Sequence, residues 1–330
     1  MTKKISVILC VMIIISMLFS SCSSAQNELS FTAMDTYVTL KANVSKNNLE
    51  KIKSMIEKLS GELDSVNDSE LFRLNNAGGG ECGEDVYDAI RTAVSYYNIT
   101  DHAYNPCLSE LKTAWGFDDG KIKIPTEEEI KNALKSSDCG KIIISGKNVE
   151  LNGAKLDLGG VAKGIAADKA ADMLKSFGCN SGIFSIGGTI AAVGSKNDNQ
   201  SWTVSIQDPR GDSGKMIGTL KLKSKFVSTS GDYQQYKIIE GKRYHHIFGE
   251  NGYPTDNGII SVTVVSSNGA ESDALSTALF VMGKQKAFEF LDAHSGVKAM
   301  IVTDDKKVTI TKNMNRLFTL ENNEYELEIH

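Results

Sequence analysis

The chain has 330 residues, 41% of them hydrophobic and 23% charged, and a formal net charge of −5. That composition provides for a sizeable core and excludes wholesale disorder. It contains no long cluster of Lys and Arg, which argues against a nucleic-acid partner, since neutralising phosphates needs a concentrated basic face.

Lys3 and Lys4 precede an apolar run from Ile5 to Phe19. That is the length of a signal-peptide core and short of the roughly 20 residues of a spanning helix. The run ends in Leu18-Phe19-Ser20-Ser21-Cys22, small residues before a Cys as in a bacterial lipobox. On this reading residues 1–22 are a lipoprotein signal, Cys22 carries the lipid, and residues 23–330 form a single domain. An ordinary cleaved signal, with Cys22 incidental, is the alternative. Both predict export, and the lipid places the protein on the extracytoplasmic side of the cell membrane. Cys82, Cys107, Cys139 and Cys179 are scattered and form no Cys-x-x-Cys pair, which argues against a thiolate metal site. Export permits a disulfide but no spacing specifies a pairing, so buried free thiols are the simpler expectation.

Residues 28–44 partly alternate and predict a strand pair turning at Met34-Asp35-Thr36. Leu49, Ile52, Met55, Ile56, Leu59 and Leu63 recur at helical spacing. Residues 75–80 read as a polar, Gly-rich turn, and Val86, Ile90 and Val94 as a second helix. Thr126 with Glu129 is a capping box opening a third. Strands then dominate, at residues 142–144, 183–186, 202–206, 217–222, 226–228 and 259–265. Helices interrupt them at 162–177, closed by Gly178, and at 270–282, stopped by Gly283. This mixture predicts an α+β fold with a mixed or antiparallel sheet and packed helices.

Four segments could carry chemistry. In Leu156-Asp157-Leu158-Gly159-Gly160-Val161-Ala162-Lys163-Gly164 an apolar strand leads through a Gly pair into a helix. Such a helix start offers N–H groups and partial positive charge to a phosphate, and Lys163 adds a cation; a tight structural connection explains it equally well. Gly187-Gly188 permits close backbone approach to a ligand or marks a bulge. Asp273 and Thr277 stand four apart and so project from one helix face. They are hard oxygen ligands suited to Mg²⁺ on a substrate phosphate, unless Asp273 only complements the helix dipole. His245 and His246, two of only five His, lie on a strand with opposite orientations, so at most one enters a given site.

In this order, Ala33-Met34-Asp35-Thr36, Asp68-Ser69-Glu70-Leu71, Ala103-Tyr104-Asn105-Pro106, Trp115-Gly116-Phe117, Asp157 to Gly164, Gly187-Gly188, Thr229 to Tyr233, His245-His246-Ile247 and Asp273 to Thr277 resemble the ApbE family of flavin transferases, from about residue 31 to 302. The resemblance implies a T-fold-like α+β architecture with FAD in a cleft between two lobes. It implies that Met34, Ala103, Tyr104, Asn105, Asp157, Lys163 and His246 line the FAD site. Mg²⁺ would be held by Asp273, Thr277 and a backbone carbonyl, that of Gly160. Members of the family cleave FAD, release AMP and esterify FMN to a Thr or Ser of an exported or membrane target, such as a redox-pump subunit or an extracellular electron-transfer protein. Asp157 and His246 are both candidates for the group that activates the acceptor hydroxyl. The chain departs from the family pattern at Asp35, Ser65, Asn105 and residues 249–254. Those departures keep two alternatives open: an FAD pyrophosphatase giving FMN and AMP, and a non-catalytic flavin-binding lipoprotein.

Overall fold

Strands β1 (Asn27–Ala33) and β2 (Thr36–Ala42) form the expected hairpin. Met34 and Asp35 turn it with φ of 53° and 54°, the doubly left-handed corner that matches strand twist. The structure, a computed structural model, describes residues 26–330 except 197, 198 and 213. The expected signal peptide and the expected lipidation site at Cys22 therefore lie outside the described residues.

Helix α1 (Lys46–Glu62) is capped by Ser45 and buries Leu49, Ile52, Ile56 and Leu59, as their spacing predicts. The turn expected at 75–80 is corrected. Ser69 Oγ accepts from Phe72 N–H at 2.9 Å and opens α2 (Glu70–Ala77), with Leu71 and Leu74 buried, so the helix runs through Asn75. Only Gly78, at φ 77°, ends it, ahead of β3 (Gly79–Glu81). Helices α3 (Glu84–Ile99), α4 (Ser109–Trp115) and α5 (Glu127–Ala133) follow, the last with its full Thr126–Glu129 capping box. Strand β5 (Asn148–Glu150) pairs with both β3 and β4 (Ile143–Ser145) in a small sheet.

The apolar strand expected before Gly159 is a second correction. Residues 154–158 join no sheet. Leu156 instead gives its N–H to Asn75 Oδ1 and takes Nδ2 on its carbonyl, both at 2.8 Å. One buried side-chain amide thus does for Leu156 what a neighbouring strand would do.

Helix α6 (Ala162–Ser176) then leads into β6 (Ser181–Ile186), β7 (Thr189–Gly194), β8 (Trp202–Gln207), β9 (Met216–Leu222), β10 (Lys225–Gly231), β11 (Tyr236–Ile239), β12 (Lys242–His245) and β13 (Ile259–Ser266). The expected stop of the next helix at Gly283 is partly corrected. Gly283 leaves helical geometry (φ 76°, ψ 162°), yet helical chain resumes, so α7 spans Gly269–Ala293 with a kink. Strands β14 (Lys298–Thr303), β15 (Lys307–Ile310), β16 (Phe318–Leu320) and β17 (Glu326–Ile329) complete the chain.

The α+β expectation holds. Nine strands form one sheet in the order β1-β2-β6-β7-β10-β13-β14-β15-β17, antiparallel except for the β15–β17 pair. Strand β13 is buried at all eight positions, because both faces of the sheet are covered. One face carries α7, whose Leu275 and Leu279 pack with Val262 and Val264. The other is covered by the β16-β9-β8 sheet, whose Val204, Ile206, Ile217 and Leu220 cluster with Val227, Ile260 and Met300. In α7, Ala270, Ala274 and Ala278 recur every fourth residue and join Ala162, Ala166, Ala167 and Ala170 of α6 in one cluster, so the two helices cross closely.

Candidate active site

The site forms where the first turns of α6 and α7 meet the ends of β7 and β10. Gly164 makes the crossing possible. A Cβ there would lie 2.3 Å from the Gly269 carbonyl oxygen, so any side chain would force the helices apart. At this contact Asp273 Oδ2 accepts from Gly164 N–H at 2.9 Å. The N-terminus expected to face a phosphate therefore already holds one carboxylate of the protein itself.

Asp273 is buried, and burial pushes its carboxyl above the usual range despite the Lys163 ammonium and the Gly164 N–H. Lys163 Nζ lies 3.7 Å from Asp273 Oδ2 and donates to the Gly159 carbonyl at 2.6 Å. Thr277 sits one turn from Asp273, and its Oγ1 lies 3.1 Å from Ser230 Oγ. Ser230 Oγ also contacts Ser276 Oγ at 2.8 Å, and Ser276 donates to the Asp273 carbonyl at 2.8 Å. One turn earlier Ser272, Ser228 and Thr189 form a parallel chain at 2.8 and 3.0 Å. These buried hydroxyls pin α7 to β10 and so set where Asp273 and Thr277 stand. Gly160 completes the group: a Cβ on it would sit 3.8 Å from Thr277 Oγ1 and 3.0 Å from the Tyr104 ring.

Tyr104 is buried beside Gly160, with its hydroxyl unpartnered among the described residues. Burial first, then the nearby Asp273 and Asp157 charges, push its phenol well above the usual value, so it stays protonated as a donor. Its segment is tied to the 157–160 turn through Asp157 N–H, which donates to the Pro106 carbonyl at 2.7 Å. Asn105 is held by its own loop. Its side chain is spent on the Ser137 carbonyl (2.9 Å) and the Cys107 N–H (2.8 Å), which makes it a brace of the loop.

Asp157 and His246 divide clearly. Asp157 Oδ2 pairs with Lys112 Nζ at 2.8 Å and Oδ1 accepts from Gly159 N–H at 2.7 Å. Burial pushes its carboxyl up, but Lys112 and the Gly159 amide outweigh that and hold it below the usual range. His246 is half-buried just beyond β12, and desolvation lowers its imidazole to about 4, so it is neutral at neutral pH. Its Nδ1 lies 3.3 Å from the Gln235 carbonyl, an acceptor only, so Nδ1 carries the hydrogen and Nε2 the lone pair. Its ring lies 6.3 Å from that of Phe117, which follows α4, the helix that carries Lys112. His245 points the other way: buried, with Nε2 on the Thr255 carbonyl (2.9 Å) and Nδ1 accepting from Ile247 N–H (3.2 Å). Met34 and Ala103 are partly buried and pack against the main hydrophobic core, and Met34 donates its N–H to Ser60 Oγ of α1 at 2.8 Å.

The oxygens here suit Mg²⁺. A carboxylate, a hydroxyl and backbone carbonyls are hard donors, the Lys163 ammonium already rests between two of them, and the orphaned Tyr104 hydroxyl awaits a polar partner. Among the described residues no group of three or more His, Cys, Asp or Glu could hold a metal ion, so carboxylates alone make no site. A single carboxylate matches the habit of Mg²⁺ of taking its remaining ligands from water and substrate phosphates. Sequence reasoning gave no role to Lys112, Thr189 or Ser228, and singled out Ser230 only as part of the Thr229–Tyr233 segment. Lys112 lies on a helix too short for a periodic signal, and the hydroxyls are ordinary β residues until α7 is laid across them.

The nine-stranded, mostly antiparallel sheet with helices packed on it is the α+β fold of the flavin transferases. The chain belongs to the ApbE family, whose model matches residues 34–301. It is 27% identical over 268 residues to an FAD:protein FMN transferase of Klebsiella pneumoniae, covering 79% of this chain and 83% of that one. Against the FAD:protein FMN transferase of Treponema pallidum it is 29% identical over 282 residues, covering 79% and 78%. Among solved structures it resembles the ApbE protein of Thermotoga maritima (TM-score 0.82, 30% identity, 88% of this chain and 98% of that one). The flavinyl transferase ApbE of Pseudomonas stutzeri gives 0.79 at 26% identity, over 90% and 98%.

Proposed function

We propose that this protein is an exported FAD:protein FMN transferase that splits the FAD pyrophosphate, passes FMN to a Thr or Ser hydroxyl of another protein and releases AMP. The observation that carries the reading is the convergence of Asp273, Thr277, Lys163 and the Gly159–Gly160 turn at the α6–α7 crossing. Transfer of a phosphoryl group needs neutralised charge and an aligned nucleophile more than covalent help. Mg²⁺ held by Asp273, Thr277 and a carbonyl of the turn, that of Gly160, would neutralise charge on the phosphoryl oxygens. Lys163 adds a second cation on the same side, and the Tyr104 hydroxyl donates from beneath. The acceptor hydroxyl attacks the FMN phosphorus, the bond to the bridging oxygen breaks, and AMP leaves with that oxygen.

The structure favours His246 over Asp157 for receiving the acceptor proton. Both Asp157 oxygens are engaged, whereas His246 is neutral with Nε2 as its acceptor. Asp157 instead keeps the 157–160 turn in place beside Tyr104. We further propose a single domain over residues 23–330, FAD in a cleft lined by Met34, Ala103, Tyr104, Asn105, Asp157, Lys163 and His246, and a lipid anchor at Cys22.

The test is incubation with FAD, Mg²⁺ and a Ser/Thr acceptor from a redox-pump subunit or extracellular flavoprotein, reading AMP and in-gel flavin fluorescence. Both signals are expected, and both vanish in Asp273→Ala. AMP without a labelled protein would replace the reading with that of a pyrophosphatase. Flavin binding with neither signal would leave a binding lipoprotein.

A further inference from the structure

The hairpin that leads into His246 stands apart from the large sheet, and β11 has β12 as its one strand neighbour among the described residues. The pairing runs from Ile239 opposite Lys242 to Tyr236 opposite His245, around the two-residue turn Glu240-Gly241 with φ of 51° and 80°. His246 N–H donates to the Gln235 carbonyl at 3.3 Å, so Gln235 and His246 make the next, hydrogen-bonded rung. Bonded and non-bonded rungs alternate in an antiparallel pair. Lys237–Tyr244 and Ile239–Lys242 are therefore bonded rungs, and the N–H and C=O groups of Tyr236 and Ile238 point away from β12. Those four groups have no partner among the described residues.

One face of the hairpin is seated on the protein. Lys237, Tyr244 and His246 share it: Lys237 Nζ donates to the Ile122 carbonyl at 2.8 Å, and the Tyr244 and His246 rings lie 5.5 and 6.3 Å from those of Trp115 and Phe117. The opposite face carries Tyr236 and Ile238, 40% and 59% exposed, with the Arg243 guanidinium 3.8 Å over the Tyr236 ring. Edge strands are commonly blunted by a Lys, a Pro or a bulge. Here the outward positions are an aromatic and a branched aliphatic, and the one Lys between them is turned to the Ile122 carbonyl.

We propose that the outer edge of β11 docks the acceptor protein by taking the extended segment that carries its target Ser or Thr as a further strand. Such docking presupposes the transfer of FMN to a protein. Continuity with His246 is what commits the edge to this occupant. Residues on one rung project from the same face of a sheet. A residue of the added strand on the Gln235–His246 rung therefore shares the face of His246, whose Nδ1 also lies 3.3 Å from the Gln235 carbonyl. A target hydroxyl on that rung stands on the side of the free Nε2. The residues one and three positions away fall on the opposite face, beside Tyr236 and Ile238. Main-chain bonds to the edge supply affinity for any extended segment, and those two side chains favour small or apolar neighbours of the target residue.

The test follows amide hydrogen exchange of the full chain with FAD and Mg²⁺, before and after adding a redox-pump subunit whose target hydroxyl has been removed, so that it docks without turning over. The Tyr236 and Ile238 amides should exchange fast alone and slow roughly tenfold or more on addition, while Lys237 and Ile239, already bonded to β12, change little. Ile238→Pro deletes one outward N–H where the hairpin has no bond to lose, and should raise the acceptor KM about tenfold with kcat and FAD affinity unchanged. Ile238→Glu keeps the backbone, faces Arg243 across its rung and should raise KM severalfold. Flavin labelling of the intact subunit without slowing at Tyr236 and Ile238 would overturn the docking and leave the transferase standing. Neither labelling nor slowing would overturn both. Slowing at these amides as the chain's own concentration rises, with no subunit present, would assign the edge to a second copy and overturn the proposal. The wild-type exchange map decides among these without any variant.

Discussion

Asp168 and Asp273 cap each other's helices. Asp168, on α6, accepts from the N–H groups of Gly269 and Ala270 at 2.6 and 2.9 Å, the opening of α7. Asp273, on α7, returns the contact by accepting from Gly164 N–H at 2.9 Å in the first turn of α6. The pair fixes the crossing at the one place where two glycine backbones touch, and the same carboxylate that closes it is the proposed metal ligand.

Gly164→Ala is expected to be far costlier than a helix Gly→Ala change elsewhere, where Ala is the better helix former. Its methyl would meet backbone at 2.3 Å, and backbone cannot rotate away. About 1–3 kcal/mol of stability should be lost to overpacking, and the Mg²⁺ requirement should rise as Asp273 shifts. Thermal unfolding and a Mg²⁺ titration of AMP release check both; a variant as stable and active as wild type would refute the close crossing.

Ser230→Ala removes the hydroxyl between Ser276 and Thr277 without touching the ligands. One hydrogen bond at about 1 kcal/mol corresponds to roughly fivefold weaker metal binding. Calorimetry with Mg²⁺ or Mn²⁺ reads this directly. Ser230→Thr, which keeps an Oγ, should recover most of the loss.

Lys112→Met leaves Asp157 largely buried without its cation. A loss of about 1–3 kcal/mol is expected. The sign with pH follows from the direction of the Asp157 shift. Its folded value is depressed, so the ion pair stabilises above the unfolded value of 3.8 and that contribution fades as pH falls through the folded value. Denaturant midpoints measured across the acid range should show this acid-linked loss in wild type and lack it in the variant.

His246 gives a diagnostic of the same sign in a higher pH window. Its folded value, about 4, lies below the unfolded 6.5, so the unfolded chain binds more protons between those pH values. Stability from this group therefore declines as pH drops from 6.5 to about 4 and levels off below. Neutral His246 persists throughout that window, so the acid limb of FMN transfer should fall near 4 and not near 6.5. His246→Ala should slow transfer by about 10²–10⁴ while leaving FAD binding within a few fold. A limb at 6.5, or an unaffected rate, would remove His246 from the proton transfer.

Local signals read best. The Thr126–Glu129 capping box, the α1 stripe and the αL glycine after α6 each depend on neighbours within a turn, and all appear where expected. Asn75 reads as turn-forming because its partner, Leu156, is distant in sequence and invisible to any local pattern.

The sequence by itself determined the first hairpin, α1, α5 and most of the later strands, the alternation that buries one face of β8, and the resemblance to a flavin-handling family. It also determined that Asp273 and Thr277 share a helix face, because helical periodicity alone requires it. Only the tertiary structure decided what faces them. Packing α7 across β10 and α6 brought Ser230 to Thr277 and Gly164 to Asp273, while other long-range contacts paired Asp157 with Lys112 and buried His245 against the Thr255 carbonyl. The physical reason is that hydrogen bonds and charges act through space. Their partners are chosen by which surfaces the buried apolar faces bring together.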